Sequence, residues 1–154
     1  MKAKMVSLPE KKLVGMHSKV RHQDHAHIAM LWQRFMPNHK RIKNRTTQDF
    51  IAVQHYSDFN DFDKPYTIWA AIEVSDAGAL PEGMAALIIP AGDYAVFRHK
   101  GMNAPETYQR IMTEWLPSSG YAIDTRPHFQ VMGKDYKNGS EDSEEDFYVP
   151  VRLK

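Results

Sequence analysis

Two stretches of this chain, eighty positions apart, carry the same apolar stripe and are cut off by proline at the same place. In DHAHIAMLWQRFMP the apolar residues are Ile28, Leu31, Trp32, Phe35 and Met36; in NAPETYQRIMTEWLP they are Tyr108, Ile111, Met112, Trp115 and Leu116. Both sets follow i, i+3, i+4, i+7, i+8, the pattern of an amphipathic helix with one buried face. Asp24 and Asn103 stand where N-caps belong, and Glu106 completes a capping box with the latter. Pro37 and Pro117 are expected to end the helices.

The repetition runs into the flanks. Tyr56 matches Tyr136 and Ile51 matches Val131, while YTIWAAIEV (66–74) and FYVPVRL (147–153) supply a last strand to each half. A strand introduced by proline precedes each helix, in LPEKKLVGMH and IPAGDYAVFRH. Each half therefore reads strand–helix–strand–strand, the first over about 1–78 and the second over about 79–154. One helix covers one sheet face, and half a chain of this size hardly buries that face alone. The expectation is a single α+β domain over 1–154. Two repeats related by a pseudo-twofold axis would share an antiparallel sheet, with both helices on one face and a ligand groove on the other.

Composition removes several alternatives. The chain has no cysteine, which excludes disulfides and thiolate chemistry. A net charge of +1 gives no global case for nucleic acid, so direct DNA binding is not expected. The run MAALIIP is too short to cross a bilayer and the N-terminus is too charged for a signal peptide, which together point to the cytoplasm. The basic HKRIKNR (39–45) and acidic SEDSEEDF (140–147) segments read first as solvated loops. His22, His25 and His27 lie near Asp24, but nothing distal completes a metal site, and no histidine has a Ser or Cys partner. No metal, cofactor or catalytic residue is assigned, and no phosphate-binding glycine loop is present.

Strand alternation nominates the groove residues. In RPHFQVM (126–132), Phe129 and Val131 are assigned to the helix side, which leaves Gln130 and Met132 facing the groove. In TIWAAIEVS, Thr67, Trp69, Ala71 and Glu73 share the groove face, where an alanine between Trp69 and Glu73 leaves room for a flat ring beside a charge. Tyr121 either reaches the groove with its hydroxyl or packs as core at the helix-to-strand turn. Repeat parity places Tyr148 with Ile68 on the helix side, unless the parity slips at Pro150, which suits an edge or a bulge.

IPAGDYAVFRHKG, EWLPSSGY and FYVPVRL, in that order and spacing, resemble the GyrI-like small-molecule-binding domain, the effector-binding module of some AraC-type and MerR-type regulators. The resemblance covers nearly the whole chain. It implies two strand–helix–strand–strand repeats, a groove at their junction and bulky aromatic, often cationic, ligands; it also makes Tyr148 a groove lining. The family groove carries a glutamate where this chain has Gln130. Glutamine keeps the shape without the charge, so either the ligand is neutral or Glu73 supplies the carboxylate.

The leading reading is a free-standing regulator-type module that binds a hydrophobic aromatic small molecule, as homodimer or monomer, through Trp69, Glu73, Tyr121, Gln130, Met132 and Tyr148. A second is the hydrolase activity on reactive natural products known in some GyrI-like proteins, with Glu73 as the base. A third is a gyrase-inhibitor-like protein-interaction module, with the acidic 141–146 loop engaging a basic protein partner.

Overall fold

The structure, a computed structural model, describes residues 1–21, 24–58 and 64–154. The first half contains β1 (Lys4–Leu8), β2 (Lys11–Val20), α1 (His25–Phe35), β3 (Phe50–His55) and β4 (Tyr66–Val74). The second contains β5 (Ala85–Ile89), β6 (Gly92–Lys100), α2 (Ala104–Arg110), α3 (Leu116–Ser118), β7 (Tyr121–Ile123), β8 (His128–Met132) and β9 (Glu144–Leu153). Every strand pairing among the described residues is antiparallel. The order is β1-β6-β9-β8-β3-β4-β2-β5, with β7 alongside β9. Exchanging the halves, β1 for β5, β2 for β6, β3 for β8 and β4 for β9, turns this order into its own reverse. The first half thus contributes one strand more than expected, β1, and the second two, β5 and β7; β1 and β5 each pair with the other half.

This order forces the sheet to curl. Flat, the six steps from β1 to β2 would separate them by about 29 Å at ~4.8 Å per strand. Yet Pro9 and Glu10 alone join them, and so short a link spans at most about 10 Å. Pro90 and Ala91 impose the same constraint between β5 and β6. The edges must approach, and Gly15 marks where β2 presses on β4: a Cβ there would lie 2.0 Å from the Ala70 carbonyl oxygen and 2.8 Å from Ala71 Cβ.

Both helices pack on the convex face. Leu31 and Phe35 of α1 bury against Val14, Met16, Ile68, Ala70 and Ile72. Ile111, with Tyr108, Met112 and Trp115, covers Ala95, Phe97, Phe147 and Val149. The caps are as expected: Asp24 accepts from the His27 N–H and Asn103 from that of Glu106. The two prolines differ: α1 ends at Phe35, ahead of Pro37, as expected. After Phe35 the chain tightens into a 3₁₀ turn (Met36–Arg41) that holds Pro37. Pro117 does not stop its helix. A wide π turn over Ile111–Trp115 carries the helix on to Ser118, where a proline near the start of the last turn has no N–H to waste.

The concave face has its own core, built from Leu13, Ile51, Val53, Trp69, Ala71, Ile89, Tyr94 and Phe129. No described helix packs there; the curled edges, through Val6, Leu8 and Leu87, cover it instead.

Candidate functional site

Two rows of side chains cross the sheet at its centre. Register places Trp69 opposite Val53, Val53 opposite Phe129 and Phe129 opposite Tyr148, so these four share the concave face. One residue along, Ala70, Ala52, Gln130 and Phe147 form the matching row on the convex face, beneath the helices. A one-residue step in register exchanges the faces.

Trp69, Glu73 and Tyr148 therefore stand together on the concave side, whereas Gln130, Met132 and Tyr121 do not. Gln130 pairs with Phe147 and Met132 with Phe50, both packed under helices, so the expected groove placement of Gln130 and Met132 is reversed. Phe129 and Val131 lie on the concave face instead, because this sheet has an apolar core on each face. Tyr121 stacks on Trp115, centroids 6.3 Å apart at 12°, and packs as core at the turn after the helix. Tyr148 lies opposite to its repeat parity. Trp69 faces the concave side, yet Val149, eighty positions on, packs beneath the second helix.

The concave site is aromatic at its floor. Tyr148 lies flat on Phe129, 4.5 Å between centroids at 10°. Tyr94 meets both edge-on, at 5.4 Å from Phe129 and 6.3 Å from Tyr148. Such edge and offset contacts satisfy the ring quadrupoles. Trp69, 8% exposed, carries the His17 ring at 4.6 Å. Beside Tyr148 opens a cavity of about 390 Å³, lined by Val6, Val96, Arg98 and Asp146 among others.

Charge is distributed unevenly around this floor. Burial raises the Tyr148 hydroxyl above its ordinary pKa, and the carboxylates of Asp146, Asp49 and Glu73 raise it further. Its hydroxyl thus sits in a field made negative by three side chains. Arg98 holds Asp146 at 3.2 Å and Asp135 at 2.8 Å. Lys11 Nζ donates to both oxygens of Glu73, at 3.2 and 3.3 Å. At the other end, the Arg126 guanidinium lies 4.6 Å over the Tyr94 ring, anchored by the Asp93 and Val151 carbonyls. Gly92 makes this possible, since a Cβ there would fall 2.2 Å from Arg126 Nη1.

Sequence reading missed Phe129, Tyr94, Lys11 and Arg126. Tyr94 was within reach, because Leu8-Pro9 and Ile89-Pro90 align Leu13 with Tyr94, and both belong to the concave core. It also passed over two buried ionisable groups on the convex face. His128 Nδ1 shares a hydrogen bond with the Tyr108 hydroxyl, and burial drives its pKa down to about 3. Burial, with Asp146 adding, pushes Glu145 up to about 7.

Among the described residues no cluster of three metal-ligating groups exists. Asp24 and His27 are occupied with each other at the cap of α1, while His22 lies outside the described residues. No described helix is long and apolar enough to cross a membrane.

Comparison with known proteins agrees with this architecture. The family described as GyrI-like small molecule binding domain matches residues 1–152. The transcriptional regulator BrlR of Pseudomonas aeruginosa is 30% identical over 132 residues, which cover 80% of this chain and 46% of the regulator. The chain therefore spans about half the length of that curated relative. Among solved structures, SAV2435 bound to tetraphenylphosphonium superposes with a TM-score of 0.71 at 16% identity, covering 99% of this chain and 94% of the other. The EcmrR C-terminal domain gives a TM-score of 0.72 at 16% identity, covering 99% and 98%.

Proposed function

Because the chain belongs to the GyrI-like small molecule binding domain family, we propose that its concave face binds a hydrophobic aromatic small molecule for sensing or sequestration. The observation that carries this reading is the Tyr148–Phe129 stack with the Tyr148 hydroxyl in the field of Asp49, Glu73 and Asp146. A flat ring entering beside Tyr148 gains apolar contact from the ladder and polarity from the carboxylates at its rim. Burying about 200 Å² of apolar ligand surface yields roughly 5 kcal/mol at ~25 cal/mol/Å², before the cost of association. That suits a sensor with modest affinity and broad tolerance.

The relatives support the same class. SAV2435 was solved with tetraphenylphosphonium, four aromatic rings around a cation. BrlR is a transcriptional regulator, and in such a context the site would report ligand to a DNA-binding segment. Trp69, on the concave face, is the reporter; Trp32 and Trp115 belong to the helical segments on the convex face.

The test is a fluorescence titration with tetraphenylphosphonium, comparing the wild type with Trp69→Phe. The reading expects saturable quenching in the wild type that largely disappears in the variant. Quenching that persists in Trp69→Phe places the ligand elsewhere, and no saturable change in either protein defeats the reading. Mass spectrometry of the recovered probe separates binding from turnover.

A further inference from the structure

The ammonium of Lys11 straddles the Glu73 carboxylate, at 3.2 and 3.3 Å from its two oxygens. Both side chains are largely buried, 20% and 23% exposed, unlike an ordinary surface pair. Register explains the reach: Glu73 pairs directly with Leu13, so Lys11, two residues earlier on β2, approaches it diagonally on the same concave face. Lys11 is also the first residue after the Pro9–Glu10 link that closes the curl, which fixes where its stem begins. Glu73 in turn is one of the carboxylates acting on the Tyr148 hydroxyl.

We infer that Lys11 is a specificity-determining residue, a tethered counter-cation that occupies Glu73 and sets how strongly the concave site favours cationic over neutral aromatic ligands. The inference rests on the small-molecule reading above and deepens it. A ligand cation near Tyr148 and the Lys11 ammonium compete for one carboxylate. Of the three carboxylates acting on Tyr148, Asp146 is held by Arg98 and Glu73 by the displaceable ammonium of Lys11, so Glu73 is where a lysine and a ligand cation compete. With Lys11 in place, a cation gains from Glu73 only what remains after displacing an intramolecular rival of the same charge. A neutral ring displaces nothing. Lysine suits the role: its charge sits on a flexible stem that can swing to water once displaced.

The test uses calorimetric titration of two matched probes, tetraphenylphosphonium as the cation and triphenylphosphine oxide as the neutral aromatic. The proteins are wild type, Lys11→Met and Lys11→Met/Glu73→Gln at low ionic strength, each checked by its melting curve. Lys11→Gln replaces Lys11→Met if the latter does not fold. The affinity ratio of cation to neutral probe is expected to rise about tenfold on removing Lys11, the size expected of one partly buried charge contact. It should return to the wild-type ratio in the double variant. If both probes bind and the ratio is unchanged without Lys11, the role of Lys11 is overturned while the site stands. If the ratio rises but persists in the double variant, Glu73 is not the contested group and the inference also fails. If folded protein binds neither probe, the small-molecule reading falls and takes the inference with it.

Discussion

Ile51 and Val131, eighty positions apart in a chain whose two helices share that spacing, face each other across the β3–β8 pairing where the halves meet. Both lie on the concave face, Ile51 at 2% exposure and Val131 packed against the same cluster. The junction is thus made by corresponding strands, and its apolar residues face away from the helices. The placement of the whole concave site follows from this pairing, because Val53 and Phe129 are the next pair along it on the same face.

The first prediction concerns Gln130. It sits in the convex row with Ala52 and Phe147, so Gln130→Glu should leave affinity for tetraphenylphosphonium within about twofold while lowering stability by about 1–3 kcal/mol, the cost of a half-buried unpaired charge. Calorimetric titration and a urea melt of the same sample check both halves of the statement.

A second follows from His128. Its pKa is depressed to about 3 in the fold, against an ordinary value of 6.5. Its contribution to stability is complete above pH 6.5 and is lost as pH falls through that window toward 3, since the unfolded chain takes up the proton first. Replacing His128 with glutamine should flatten the acid limb of the stability–pH curve, at a cost near neutral pH from the altered contact with Tyr108.

Glu145 acts in the opposite sense. Its pKa is raised from 4.5 to about 7, so it contributes fully below pH 4.5 and the contribution fades as pH rises to about 7. Glu145→Gln should therefore stabilise the protein at pH 8 by about 1–3 kcal/mol and have little effect at pH 4.5. Denaturant melts at the two pH values measure the difference.

Gly15 tests the curl. A methyl group there collides with the Ala70 carbonyl oxygen and Ala71, backbone and core atoms with little freedom to retreat. Gly15→Ala should cost at least about 3 kcal/mol, as overpacking against an unyielding neighbour does. A thermal melt showing no loss would mean that β2 and β4 separate readily at that point.

The sequence made the α+β class, the helix stripes, both N-caps and the resemblance to a family legible, because each is written in local spacing. It also placed Trp69 and Glu73 on one face, since alternation within a single strand is local too. It did not reveal which face of RPHFQVM turns inward. Phe129 and Val131 are apolar, as residues under a helix would be; a curled sheet with a second core makes the same demand on its other side. Tyr148 failed for a related reason. The spacing that relates the helices does not hold through the last strands, and an odd shift exchanges faces. Lys11 and Glu73 are far apart in the chain, and only strand register brings them together.

Calorimetric titration of tetraphenylphosphonium into wild type, Tyr148→Ala and Gln130→Ala decides whether ligand enters against Tyr148 on the concave face. Losing a stacked aromatic contact should weaken binding about tenfold or more in Tyr148→Ala, with Gln130→Ala unchanged. Equal affinity for wild type and Tyr148→Ala, or a loss confined to Gln130→Ala, would contradict the account.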